Sequence, residues 1–227
     1  MLDPIKATIV TPGLDLNGKF DNAGIPASIV TKFLAEHGVI VEKTGLYSFF
    51  IMFTIGITKG RWNSLLTALQ QFKDDYDRNQ PMWRILPEFC QKYKKYERTG
   101  LRDLCHHIHT LYAKYDIARL TTDMYLSDLT PAMKPSDAYA QIARRNTERV
   151  SVDALEGRIT TSLLTPYPPG IPLLVPGEVF NKKIVDYLKF AREFNLQCPG
   201  FETDIHGMVE EDGDDGVKRY FADCVKT

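Results

Sequence analysis

Glu42-Lys43-Thr44-Gly45 places a carboxylate, an amine and a hydroxyl within four residues, between the apolar runs Val39 to Val41 and Tyr47 to Ile55. Polar groups at a corner between two buried strands are held by the scaffold, and there a small charged ligand can be oriented. The competing reading is a solvated corner, because charged side chains are mostly exposed. A second cluster, Pro199-Gly200-Phe201-Glu202-Thr203-Asp204-Ile205-His206-Gly207, delivers Phe201 to the core while Glu202, Asp204 and His206 alternate on the opposite face, as a strand would place them. Two carboxylates beside an imidazole suit proton transfer or a hydrogen-bonded structural strand, and with no cleft in view the structural reading is preferred.

Three other groupings are weaker. In His106-His107-Ile108-His109 only His106 and His109 share a helical face, and Asp103 is the one acid near enough to join them. That falls short of a zinc set, so these are expected to be surface and boundary histidines. The acidic run 210–215 lacks the alternating register and terminal glutamate of a calcium loop and reads as a hairpin tip. No G-x-x-x-x-G-K-[ST] or G-x-G-x-x-G occurs, and Gly13, Gly18 and Gly24 are expected to be ordinary turn residues. No metal ligand set is expected.

Charge excludes further classes. Lys plus Arg (28) nearly balances Asp plus Glu (29), so no global field draws in nucleic acid or an anionic membrane surface. The longest apolar run, Leu46 to Ile57, is interrupted by Ser48, Thr54 and Gly56 and is too short to span a bilayer. Cys90, Cys105, Cys198 and Cys224 show no C-x-x-C spacing, and with no secretory leader before them the expectation is reduced thiols in the cytoplasm. The opening Met1-Leu2-Asp3-Pro4 moves straight into strand-like residues, as in a piece cut from a longer polypeptide.

Elements that must position these groups follow from periodicity. Ala7 to Val10 reads as a strand closed by Pro12-Gly13, and 15–22 as a loop. Pro26 opens a helix whose Ile29, Val30, Phe33 and Leu34 recur at helical spacing and which Gly38 stops. Val39 to Val41 restarts extended structure, and Tyr47 to Ile55 reads as a strand buried on both faces. Leu65, Leu66, Leu69, Phe72 and Tyr76 form a stripe on a helix from Arg61, with Lys73, Asp74 and Asp75 on its solvated side. The sum is a β-α-β-β-α unit over residues 1–80.

Residues 81–227 are expected to form a second domain. Its helices run over Met82 to Tyr96 (Trp83, Leu86 and Phe89 inward), Leu101 to Tyr115, Pro135 to Asn146 and Lys182 to Phe194. Its extended pieces are Arg158 to Leu164, Leu173 to Val175 and Val217 to Val225. The proline-rich stretch Thr165 to Glu178 reads as a rigid connector feeding the Leu173 strand, with Glu178 capping the helix near Lys182 or facing a neighbouring subunit. The expected class is α+β, with helices packed on a small, mostly antiparallel sheet.

Taken together, Leu2-Asp3-Pro4-Ile5-Lys6, Gly24-Ile25-Pro26-Ala27-Ser28-Ile29-Val30, Val41-Glu42-Lys43-Thr44-Gly45, Pro166-Tyr167-Pro168-Pro169-Gly170-Ile171-Pro172 and 199–207 resemble the C-terminal third of the bacterial basic amino acid decarboxylases. These are pyridoxal-phosphate enzymes acting on lysine, arginine or ornithine, and the resemblance covers nearly the whole chain. It implies a type I aminotransferase-like fold, with the small subdomain to about residue 80 and the family's C-terminal α+β domain after it. It also implies diamine production within polyamine metabolism and acid stress, and a homodimer or larger assembly built with the N-terminal and cofactor-binding domains of the same enzyme.

One departure decides what the chain can do alone. The family's cofactor lysine follows a histidine in Ser-x-His-Lys, and no histidine here precedes a lysine. The isolated chain is therefore expected to bind no cofactor and to be inactive, because decarboxylation relies on the cofactor ring as electron sink. The resemblance matches Glu42 to the acidic residue that recognises the substrate's distal ammonium, with Thr44 as a second contact. Lys43-Thr44-Gly45 looks like the lysine-acting members, while Gly56-Ile57-Thr58-Lys59-Gly60-Arg61-Trp62 looks closer to the arginine-acting ones; the balance favours lysine. A free-standing binding or assembly module that kept the fold and lost the chemistry is the alternative.

Overall fold

The computed structural model describes residues 5–167, 170–213 and 218–226. The chain divides into two compact units, Met1–Lys114 and Tyr115–Thr227.

In the first unit, strand β1 (Lys6–Val10), helix α1 (Ala27–Glu36), strands β2 (Lys43–Thr44) and β3 (Ser48–Met52), and helix α2 (Lys59–Asp77) follow in the expected order. β3 is central, pairing antiparallel with β1 from Lys6↔Met52 to Val10↔Ser48 and with β2 at Thr44↔Phe49. Its Phe49 and Ile51 are buried while Ser48, Phe50 and Met52 are half-buried, so only one face is in the core, not both as expected. A three-stranded antiparallel sheet with helices to bury against needs only that alternation. The strand also ends sooner than expected: Phe53 N donates to Ile5 O at 2.7 Å, and Gly56 then turns at φ +92, leaving Ile55 fully exposed.

α1 starts directly after Pro26 and buries Ile29, Val30, Phe33 and Leu34. It closes with paired bonds, Gly38 N to Ala35 O at 3.0 Å and Val39 N to Leu34 O at 2.9 Å, about a glycine at φ +76. That closure consumes the Val39 amide. Val39 to Val41 consequently form no strand, contrary to expectation, and sheet pairing resumes at Glu42 N, which donates to Phe50 O at 3.0 Å. The middle of the polar tetrapeptide, Lys43-Thr44, is thus itself the strand. On α2 the buried stripe is Leu65, Ala68, Phe72 and Asp75, whereas Leu66 is 44% exposed. Asp75, expected in solvent, accepts a 2.9 Å bond from Gln71 Nε2.

Pro87 splits the expected Met82 to Tyr96 helix. A proline restricts the residue before it, and Leu86 sits at φ −129, ψ 69, outside the helical basin. The result is α3 (Met82–Ile85), α4 (Pro87–Lys92) and a 3₁₀ turn, Lys94–Tyr96. Met82, Ile85, Leu86 and Cys90 point inward, while Trp83 is 53% exposed. α5 (Leu101–Lys114) buries Leu101, Leu104, Cys105, Ile108, Leu111 and Tyr112 as read, and His109 besides. α5 packs on α2, Leu101 N donates to Gln80 O at 2.8 Å, and Met82 N donates to Thr99 O at 2.9 Å. These ties keep residues 82–114 within the first compact unit.

The second unit holds α6 (Ile117–Leu126), a helix the sequence reading passed over, then α7 (Pro135–Ala143), β4 (Thr147–Ser151), β5 (Thr165–Tyr167), α8 (Lys182–Gln197), β6 (Asp204–His206), β7 (Met208–Asp212) and β8 (Lys218–Val225). The strands form two antiparallel sheets, β4-β8-β7 and β5-β6. Arg158 to Leu164 and Leu173 to Val175 make isolated bridges, including Leu164↔Leu174 and Thr160↔Cys224, in place of the expected strands. Pro166 lies in β5, a two-stranded edge where its missing donor is tolerated. Pro168, Pro169, the last two residues of the acidic run (214–215) and the first residue of the expected strand at 217 lie outside the described residues.

Glu178 does not cap α8: its Oε2 accepts from Val175 N at 2.8 Å, and Asn181 Oδ1 takes the Ile184 amide at 3.0 Å as the cap. Buried Asn195 on α8 fixes the chain after it, donating to Thr203 O at 3.1 Å and to Tyr220 OH at 3.2 Å and accepting from Thr203 N at 3.0 Å. All four cysteines are buried and none is in a disulfide.

Candidate substrate-end site on a pinned hairpin

β2 and β3 are joined by Gly45-Leu46-Tyr47, and Gly45 N donating to Ser48 O at 2.7 Å closes the link so that Leu46 and Tyr47 form the loop at its tip. Both loop carbonyls are taken from outside the hairpin: Leu46 O by Ala27 N at 2.9 Å and Tyr47 O by Thr11 N at 2.9 Å. The hairpin is therefore tied down at its tip, which fixes its register. Glu42, at the open end, is exposed and lines a groove of about 530 Å³ whose wall also includes His37, Ile51, Arg61 and Trp62. Thr44, in β2, is half-buried and is not part of that wall, so of the two residues singled out together only Glu42, just before the strand, reaches the groove.

An exposed carboxylate beside an apolar wall can hold an ammonium group by a charge-assisted hydrogen bond. The pyridoxal-phosphate site implied by the resemblance does not fit here: among the described residues, no lysine lines the groove, and none of the five histidines of the chain precedes a lysine.

The other clusters resolve differently. Asp204 Oδ2 and His206 Nε2 lie 3.0 Å apart on β6 with Tyr167 across the strand pair, but both side chains are about two-thirds exposed. Such a pair competes with water and is weak. Phe201 is buried and Glu202 exposed, as the alternation predicts. His106 and His107 are exposed. His109 is not a boundary residue: it is 3% exposed, with Tyr47 OH 2.6 Å from Nδ1 and Asp21 O 2.9 Å from Nε2. Among the described residues no group of three or more His, Cys, Asp or Glu is arranged to hold a metal ion, and no helix is long and apolar enough to cross a membrane.

Sequence reasoning missed the Tyr47–His109 pair, because nothing in the spacing joins residues 62 positions apart. The available signal was His109 falling one turn beyond Cys105 on the apolar stripe of α5. Gly13 and Gly24 are likewise more than turn residues. A Cβ on Gly13 would sit 2.3 Å from the Tyr47 ring, and one on Gly24 2.3 Å from His109 Nδ1.

Residues 118–226 match the Orn/Lys/Arg decarboxylase C-terminal domain, and residues 1–61 the Orn/Lys/Arg decarboxylase major domain. The chain belongs to the Orn/Lys/Arg decarboxylase family. Among the family's members, lysine decarboxylase LdcA of Pseudomonas aeruginosa is 47% identical over all of this chain, which covers 30% of that protein. The solved structure of lysine decarboxylase A from the same organism superposes with a TM-score of 0.92 at 48% identity, over 99% of this chain and 30% of that one. The constitutive lysine decarboxylase of Escherichia coli is 38% identical over 96% of this chain and 31% of its own length. The biodegradative arginine decarboxylase of Escherichia coli is 34% identical over all of this chain and 30% of its own length. The chain thus spans about a third of these decarboxylases.

Proposed function

We propose that the chain is the C-terminal part of a pyridoxal-phosphate-dependent basic amino acid decarboxylase that converts lysine to cadaverine, and that it shapes the substrate end of the active site. The observation that carries this reading is Glu42: a carboxylate on a hairpin fixed at its tip, presented at a groove beside apolar side chains. Its role is to accept a hydrogen bond from the distal ammonium; Thr44, outside the groove wall, is not placed to make a second contact there. Lysine is favoured because identity to the lysine decarboxylases, 47% and 38%, exceeds the 34% to the arginine decarboxylase.

The first unit up to about residue 80 takes the part of the aminotransferase-like small lobe, with the helices of residues 82–114 packed onto it. Cofactor and cofactor lysine belong to other domains of the same enzyme, which supply the electron sink for loss of the carboxylate. The chain alone is inactive. The complete enzyme works as a homodimer or larger assembly in the cytoplasm, where four buried cysteines outside any disulfide are chemically at home.

The missing His-Lys step favours one second reading, a non-catalytic module that binds a basic amino acid without turnover. Carbon dioxide release by the complete enzyme separates the two. With lysine, arginine and ornithine assayed side by side, kcat/KM for lysine is expected at least about tenfold above the others, since a site matched to one chain length leaves a buried polar group unpaired with another. Equal or greater efficiency with arginine or ornithine overturns the substrate assignment, and no turnover with any of them favours the module.

A further inference from the structure

We infer that Tyr47 and His109 are positioning residues for the Glu42 carboxylate: a buried strut that anchors the tip of the hairpin carrying it. This rests on the proposed role of Glu42.

Three observations place the strut. First, Tyr47 is one of the two loop residues of the hairpin, and its hydroxyl lies 2.6 Å from His109 Nδ1 in the core. Second, the far ring nitrogen faces a carbonyl, Asp21 O, at 2.9 Å. A carbonyl only accepts, so Nε2 carries the proton and Nδ1 is left to accept from the tyrosine. The direction of the relay is thereby fixed: Tyr47 O–H to Nδ1, Nε2–H to Asp21 O. Burial, with Tyr112 and Cys105 beside it, pushes the phenol well above its ordinary range and keeps it a donor.

Third, the backbone has been cleared to admit both rings. Neither Gly13, at φ +136, nor Gly24 has room for a Cβ, and the edges of Phe20 and Tyr112 close over the Tyr47 ring at 6.2 and 6.1 Å. The neighbouring loop is tied to the same tip, because Thr11 N holds Tyr47 O while Thr11 Oγ1 donates to Ile25 O at 2.6 Å. Were the pair packing alone, one apolar ring against another would serve. The hydrogen-bonded pair adds a directional constraint, which sets where the loop sits and hence where the open end, with Glu42, comes to rest.

The test is a double-mutant cycle in the complete enzyme with Tyr47→Phe and Glu42→Gln, read as KM and kcat for lysine. Tyr47→Phe is expected to raise KM about three- to tenfold with kcat changed less than about twofold. In the Glu42→Gln background the same change should have little further effect, because there is no carboxylate left to misplace. An unchanged KM in Tyr47→Phe, or effects that multiply independently, overturns the strut while leaving Glu42 in place. No effect of Glu42→Gln itself removes the reading on which the strut depends, a distinguishable outcome. A folding failure of Tyr47→Phe does not stall the test, because the wild-type protein reports the relay directly: ¹⁵N NMR of His109 should show a protonated Nε2 and an unprotonated, hydrogen-bonded Nδ1. The opposite tautomer overturns the proposal.

Discussion

Glu42→Gln in the complete enzyme is expected to raise KM for lysine by one to two orders of magnitude. The substitution keeps the size and shape of the side chain and removes its charge, so what it tests is the electrostatic part of recognition. A hydrogen bond to a charged group contributes about 1.5 to 3 kcal/mol, and that range corresponds to the expected factor. Its geometry supports a specific loss: Glu42 is exposed at the groove, its own amide is engaged by Phe50 O, and the hairpin behind it is held at both loop carbonyls. Little rearrangement is open to the backbone to compensate. Steady-state kinetics read the result, and an unchanged KM removes Glu42 from the site.

Phe33→Ala is expected to lower the stability of the protein by about 3 to 5 kcal/mol, the range for deleting a buried phenylalanine ring. Phe33 is 1% exposed on α1, meets Phe72 of α2 edge-on at 5.3 Å and stacks on His37 at 4.0 Å. It thus joins α1 to α2, and the void left by its ring lies between packed partners that cannot fully collapse onto it. Chemical denaturation gives the measurement, through a fall in midpoint at constant slope. A loss below about 1 kcal/mol would mean that the α1–α2 packing is looser than described.

The order of elements in the first unit was legible because its signals are local: Pro26 and Gly38 bracket α1, and the apolar run from Tyr47 marks β3, though not which of its faces is buried. What was not legible depended on partners distant in sequence. Val39 to Val41 look like a strand by composition, yet the closing bonds of α1 use the Val39 amide and move the pairing into the polar residues after it. Pro87 was visible, but the apolar stripe was allowed to run through it, and Trp83 was turned inward when it lies half in solvent. In the second unit, α6 carries only Ile117 and Met124 into the core, too narrow a stripe to stand out in a window of ten residues. The proposal for Glu42 rests on its neighbours in sequence, whereas His109 beneath the hairpin lies 62 residues from Tyr47, beyond the reach of any local spacing.

The central claim is that these residues furnish the substrate-facing wall of a pocket whose cofactor is held by another part of the enzyme. The direct measurement is an absorbance titration of the isolated 227-residue chain with pyridoxal phosphate. No stoichiometric lysine-linked cofactor band is expected, because no lysine of the chain follows a histidine and, among the described residues, none lines the groove. A one-to-one band abolished by substituting a single lysine would contradict the account.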